Sequence, residues 1–513
     1  MDDRPRLSRE LVASLAREKN GVLDVPTPDV LGLPERVLQF GTGAFLRGFI
    51  EYFIDEANRA GRFNGSIVAV ASTPSRRDEM LNEQDGLYTL AIQGVQAGAA
   101  RQEYRVIGSL SRALSARDEW EAVLDVARDR AVRLIISNTT EIGIALDDED
   151  RFDASPPKSF PAKLTRVLAE RASAVDYDAG HTLTVLPCEL IERNGDVLRA
   201  AVFALARRWR LDARFERWVD DAVTFCNTLV DRIVPGPLPA ADVARLERVF
   251  GYRDGLATSC EPYALFAIEG DDALRESLEF PGDDWRIVVT GDIQPYRDQK
   301  VRVLNGAHTL VVPAALLAGL ETVRDAVEDL AMGQLMRRAI FMEIVPSFDV
   351  PDPDAQDSFP HDVLERFANP YIRHALVDIS LHGTAKMRVR VVPSIVAFGE
   401  RYGRAPAALA FGFAAYIAFM RGELQMERRA AGLAVPEDAE GERVRAAWLG
   451  VDPRSDAAVS DLAHAVCADA ALWGTDLTTV PGFADLVADT LVRIVRQGVR
   501  PALDAYLTEP ATT

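Results

Sequence analysis

The 513-residue sequence predicts an α/β protein, with a parallel sheet and crossover helices in its first half and a mostly α-helical second half. Two observations carry this reading. Short apolar runs of strand length alternate with helical stretches up to about residue 290, and from about Pro295 the helical spacing continues with little that reads as strand. A chain this long exceeds one hydrophobic core. The boundary is placed after the acidic Pro281-Gly-Asp-Asp284 segment. This gives an N-terminal extension over 1–34, a first domain over 35–290 and a second over 291–513.

The extension is polar and proline-interrupted, with a helix expected from Ser8 to about Lys19. Residues 36–40 read as a buried strand that runs into Gly41-Thr-Gly43, and helical spacing follows from Ala44 to Ala60. Further strands are expected at 66–71, at 133–138 after a helix around 116–128, at 181–188 and at 285–290. The second half reads as helices over 296–320, 321–345, 360–382, 404–431, 456–470 and 483–498.

The formal net charge of −20 disfavours nucleic acid and anionic membrane as partners. Four scattered cysteines, with no CxxC pair, suit buried thiols in a reducing compartment. The start lacks a signal-peptide pattern, and the apolar run 405–420 is shorter than a membrane span of about 20 residues. A cytoplasmic protein is therefore expected, while oligomeric state is not legible. Only five lysines occur (Lys19, Lys158, Lys163, Lys300 and Lys386) among 58 basic residues. Lysine can be tuned toward neutrality by burial and arginine cannot, so each lysine here is of chemical interest.

Gly41-x-Gly43 between a strand and a helix suits a dinucleotide diphosphate, because glycines allow close backbone approach and a helix N-terminus offers free N–H groups. The third glycine of that fingerprint falls at Leu46, and a purely structural strand–turn–helix carries the same residues. After the second strand, Ser72-Thr-Pro-Ser-Arg76-Arg77 has no carboxylate for a ribose, and its arginines suit a 2′-phosphate. NAD is the expected cofactor, with NADP tolerated. No Cys/His cluster has zinc-ligand spacing, so no metal is expected.

The stretch 291–308 contains Lys300, Asn305 and His308. On an α-helix Asn305 lies about 140° and His308 about 80° round from Lys300, on one broad face flanked by apolar residues. The same face also suits a partly exposed polar stripe.

Lys300-x4-Asn305-x2-His308 resembles the signature of the mannitol dehydrogenase family of polyol-specific long-chain dehydrogenases. The likeness runs in order along the chain: Gln39-Phe-Gly-Thr-Gly-Ala-Phe-Leu-Arg47, Gln84-Asp-Gly-Leu-Tyr88, Ser137-Asn-Thr-Thr-Glu141, Pro161-Ala-Lys-Leu-Thr165, Pro187-Cys-Glu-Leu190, Asn194-Gly-Asp196, Phe225 to Ile233, Leu304-Asn-Gly-Ala-His308 and Asn369-Pro-Tyr-Ile372. These segments are closest to the tagaturonate reductase (altronate oxidoreductase) branch.

The resemblance implies a Rossmann-type first domain, a helical second domain and a metal-free site between them. It implies Lys300 as general acid/base, Asn305 as oxyanion donor and His308 as substrate-orienting residue. Together with Ser72 and Arg76 from the loop after the second strand, the candidate cofactor set is Gly41, Thr42, Gly43, Ala44, Phe45, Arg47, Asn138, Thr139, Thr140, Glu141 and Asp231. Arg232, Lys386 and Arg388 are the candidate holders of a substrate carboxylate. Two departures stand out. Where the mannitol branch has a second oxyanion asparagine this chain has Leu190, preceded by Glu189, and the glycine turn has Thr42 and Ala44 where the tagaturonate branch has Glu and Asn. The expected reaction interconverts a keto-hexuronate and a hexonate. Fructuronate, mannitol or another polyol is the alternative substrate, and a non-catalytic nucleotide sensor is the alternative class.

Overall fold

The structure, a computed structural model, describes residues 4–18, 23–73, 76–139, 143–350, 358–430 and 438–508. It divides into two compact units, Met1–Gln93 with Ala100–Ile293, and Gly94–Ala99 with Gln294–Thr513.

In the first unit six parallel strands form the central sheet: β1 (Glu35–Phe40), β2 (Ser66–Ala71), β3 (Leu110–Ser115), β4 (Leu134–Ser137), β5 (Leu183–Pro187) and β6 (Val223–Phe225). Their order is β3-β2-β1-β4-β5-β6. This is the Rossmann order, which reverses direction between β1 and β4 and so opens a ligand crevice at their carboxyl ends. The apolar runs are nearly continuous because both faces are covered. Val37, Ile67, Leu134 and Ile136 enter one core with Phe49 and Phe53, while Leu38, Val68, Val70 and Ile135 enter the other with Trp120, Leu164 and Leu168. Successive residues of one strand thus serve opposite cores.

The N-terminal segment forms α1 (Arg9–Glu18), and its Leu7 and Val12 are fully buried. The single helix expected over 44–60 is instead two, α2 (Ala44–Gly48) and α3 (Ile50–Arg59). Phe49 breaks it at φ −126° and ψ −90°, held by stacking on Phe45 and by edge contacts with Phe53 and Phe266. Side-chain packing overrides helix propensity at this point.

Strands absent from the sequence expectation also occur. A five-stranded sheet contains Tyr88–Gln96 and Ala99–Ile107. A three-stranded sheet joins the equally unexpected β7 (Thr228–Asp231) and β8 (Leu265–Glu269) to β9 (Ile287–Thr290), the strand that was expected at 285–290. The tip of the hairpin at 94–99 groups with the second unit, where Ala97 and Gly98 donate their N–H groups to Glu365.

The second unit is helical, but several of its expected long helices are segmented. The first comprises α4 (Gln294–Gln299), a π-helical turn over Lys300–Asn305, and α5 (Gly306–Leu317). The second breaks at Asp329, whose side chain caps α6 (Leu330–Arg337), and a second π-helical turn follows over Arg338–Ile344. The third, expected over 360–382, is divided into α7 (Ser358–Phe367), a connection through Asn369-Pro370 and the short helix Leu376–Ile379, and α8 (Gly383–Arg390) follows it. Proline at 370 disfavours helix for the residue before it. The run 405–420 is α9 (Ala407–Phe419), which is apolar around almost its whole circumference and buried. No helix among the described residues is long and apolar enough to cross a membrane. Glu343, on the second π-turn, accepts the N–H groups of Ala408 and Leu409 at 2.8 and 2.9 Å, and burial lifts its pKa to about 7.

Candidate active site

In the first unit the glycine turn sits at the point where the strand order reverses. Gly41 has φ +123°, and a Cβ there would lie 3.0 Å from the Asn138 carbonyl at the end of β4. Only glycine fits that approach. A Cβ on Gly43 would meet nothing within 4 Å, so the backbone face is open where a diphosphate needs access. The turn is braced by Gln39, whose Nε2 donates to Gly41 O (3.0 Å) and to the buried Glu51 Oε1 (2.8 Å). Thr42 is buried, Ala44 and Gly43 are half-buried, and Phe45 stacks on Phe49. Arg47 is buried beside the Tyr88 ring, and its Nε and Nη1 have no hydrogen-bond partner among the described residues.

The strand end at 137–139 is held by Glu189, which sequence reasoning treated only as a departure. Its buried carboxylate accepts from Ser137 Oγ (3.0 Å), Thr139 N (3.0 Å) and Thr139 Oγ1 (3.1 Å), and burial raises its pKa. Asn138 donates to Cys188 O at 2.7 Å. Thr140 and Glu141 lie outside the described residues. Leu190 is 59% exposed. Nearby Asn194 is consumed by the backbone, donating to Pro187 O and accepting from Thr228 N.

Ser72 is exposed at the end of β2, and Arg76 is paired with Glu79 on the surface. Asp231 and Arg232 are both buried. Arg232 donates to Glu261 O (2.9 Å) and Gly48 O (2.8 Å) and lies over the Tyr52 ring, while its buried Nη2 has no partner among the described residues.

In the second unit the π-turn changes the geometry expected of Lys300 and Asn305. Backbone bonding in a π-turn runs i→i+5, which brings these two residues nearer to one face than the 140° of an α-helix. Lys300 and Asn305 are half-buried. His308 follows in the first turn of α5 and is 8% exposed. Phe367 stacks on its ring at 3.9 Å and His374 meets it edge-on at 5.5 Å. Burial, reinforced by His374, Arg366, Arg390 and Lys386, holds the His308 pKa well below 6.5, so the imidazole is neutral at pH 7. Its Nε2 is buried without a partner among the described residues.

Thr309 Oγ1 donates to Asn305 O at 2.8 Å and accepts from Arg390 Nη1 at 3.4 Å. A Cβ on Gly306 would lie 2.9 Å from Arg390 O, so the end of α8 rests directly against the π-turn. Of the two carboxylate candidates on α8, Lys386 donates to Ile379 O at 2.8 Å and lies near His308. Arg388 instead pairs with Glu440 and donates to Leu472 O. An apolar cavity lined by Val312, Pro313, Ile379, Met387, Phe419 and Met420 opens behind α5, and Lys300, Asn305 and His308 do not line it.

Residues 35–282 match the mannitol dehydrogenase Rossmann domain and residues 292–495 its C-terminal domain. The altronate oxidoreductases of Yersinia pestis and Pectobacterium atrosepticum are 41% and 42% identical, over 92% of this chain and 97% of theirs. That of Bacillus subtilis is 40% identical over 92% of this chain and 95% of its own. The fold is shared with mannitol 2-dehydrogenase of Pseudomonas fluorescens, solved with NAD and D-mannitol (TM-score 0.69, 24% identity, 98% of this chain and 100% of that one). It is shared also with a D-sorbitol dehydrogenase (TM-score 0.76, 22% identity, 97% and 100%). With both family domains present in order, the chain belongs to the mannitol dehydrogenase family and is a nicotinamide-dependent dehydrogenase acting on a CH–OH group.

Proposed function

We propose that this enzyme interconverts tagaturonate and altronate, a keto-hexuronate and its hexonate, with Lys300 as general acid/base. The observation that carries the reading is the π-turn, which brings Lys300 and Asn305 toward one face with neutral, buried His308 just beyond it at the start of α5. The relatives named altronate oxidoreductase supply the substrate.

The backbone of Gly41–Gly43, with Asn138 and Thr139, would hold the dinucleotide, and the nicotinamide supplies the hydride when bound. In reduction, Lys300 gives its proton to the substrate oxygen as the carbonyl becomes an alcohol, and in oxidation it takes that proton back. The Asn305 amide donates to the same oxygen, where negative charge grows in the transition state. Neutral His308 orients a neighbouring hydroxyl. NAD is the preferred cofactor. The surface pair of Arg76 with Glu79 leaves NADP tolerated rather than favoured.

A panel of tagaturonate, fructuronate and mannitol-type polyols with NADH/NAD and NADPH/NADP, followed at the nicotinamide absorbance, tests this. The highest kcat/KM is expected for the tagaturonate–altronate pair. A neutral polyol preferred over every hexuronate overturns the assignment.

A further inference from the structure

Helix α9 has no cap of its own: it starts after Pro406, whose ring offers no acceptor to the first N–H groups. Glu343, from the second π-turn, caps it instead, taking the N–H of Ala408 on one carboxylate oxygen and that of Leu409 on the other. A serine or asparagine in place of Pro406 could meet the same positions without burying a charge. Glu343 is 6% exposed, and the cation that bears on it, Arg404, is itself exposed over the Phe398 ring. A carboxylate is costly to keep in such a place, so a cap borrowed from another element needs a reason.

Both elements that Glu343 joins support the stretch from Lys300 to His308. The second π-turn packs against the first, and Phe348, just beyond it, lies under the Arg302 guanidinium at 5.3 Å. On the other side α9 rests on α5: a Cβ on Gly412 would lie 3.0 Å from the carbonyl oxygen of Leu310, two residues past His308. Backbones packed that closely do not slide independently, so a shift of α9 is passed to α5. A π-turn is a rare, single-turn departure from the α-helix, and what packs on it keeps it in place.

We propose that Glu343 is a positioning residue for the reaction: by fastening the start of α9 to the second π-turn, its carboxylate keeps the Lys300–Asn305 turn and His308 in the geometry that proton transfer needs. This rests on the reading of that stretch as the site of proton transfer. Glu343 acts through the placement of backbone and not by touching the substrate, so its removal lowers turnover and leaves the affinity for both ligands in place.

The test is steady-state reduction of tagaturonate with NADH by the intact enzyme carrying Glu343→Gln, at pH 8, where a carboxyl pushed up to about 7 is ionised in the wild type. Glutamine keeps the size and one acceptor oxygen but cannot take both N–H groups. It also removes a buried charge, so thermal unfolding should not drop. The kcat is nevertheless expected to fall about 10-fold, the order of loss that follows a misplacement of catalytic groups by a fraction of an ångström to 1 Å. KM for tagaturonate and Kd for NADH should stay near wild type. Amide exchange without substrate is the second measurement, and 300–308 should lose protection together with 407–409 in Glu343→Gln. Full kcat, a rise in KM in its place, or a fall in kcat that only follows lost stability overturns the positioning role. So does protection at 300–308 that ignores the substitution, whatever the enzyme's substrate. If Lys300→Ala keeps its turnover, the proton-transfer reading falls; if Lys300→Ala is slow and Glu343→Gln is not, the role of Glu343 alone falls.

Discussion

The proposed mechanism gives Lys300 and His308 different roles, and their surroundings differ to match. With the half-buried lysine as the proposed proton carrier, Lys300→Ala should lower kcat by roughly three orders of magnitude, within the range of about 10²–10⁴ for general acid–base catalysis. Cofactor affinity, measured by titrating NADH fluorescence, should persist, and near-normal turnover would remove Lys300 from the mechanism. His308 has its pKa depressed by burial, and His374 likewise. The folded protein therefore refuses protons that the unfolded chain accepts at its ordinary value of 6.5. Stability from this source is fully present above about pH 6.5 and is lost as pH falls below it. Exchange protection of α5 should decline between about pH 7 and pH 5.5, and His308→Gln should flatten the decline by up to one proton, about 1.4 kcal/mol per pH unit. An unchanged slope in that variant would show that the ring is not the group responsible.

At the scale of elements, the sequence placed the proposed catalytic residues in one stretch but did not show their local backbone geometry. Lys300, Asn305 and His308 stand in one short stretch, yet six residues cannot distinguish i→i+5 bonding from i→i+4, so the π-turn was invisible. The helix at 44–60 was misread because Phe49 is held by aromatic partners as distant as Phe266. Arg390 went unnoticed for the same reason, since its partners Thr309 and Gly306 lie more than eighty residues away. Gly306 tests whether the turn must be held in place. An alanine there would press within 2.9 Å of the Arg390 carbonyl, a backbone atom that cannot swing aside. Gly306→Ala should cost about 1–3 kcal/mol in stability through overpacking. It should also lower kcat about 10- to 100-fold, because a shift near 1 Å in catalytic groups has that effect. Full kcat in a folded Gly306→Ala enzyme would mean that the contact between α8 and the turn is incidental.

For the molecule as a whole, the central sheet was the most legible part, because strands covered on both faces must be nearly all apolar, as Ser66–Ala71 is. The strands at 88–96 and 99–107 were not, since the second of these is largely exposed and mixes Arg, Gln and Glu with its apolar residues. What the order β3-β2-β1-β4-β5-β6 adds is a location: the reversal between β1 and β4 puts Gly41 against Asn138. A ligand that binds only the folded state stabilises it by about 2.7 kcal/mol at a hundredfold excess over its Kd. Hydrogen exchange with and without saturating NADH should therefore show the largest added protection at 38–46 and 137–139. The helix Trp120–Arg128, on the flank of the sheet, should gain less, because the dinucleotide meets the carboxyl ends of the strands and not their sides. Equal gains in both places would indicate only global stabilisation, and protection confined to the flank would move the cofactor away from the glycine turn.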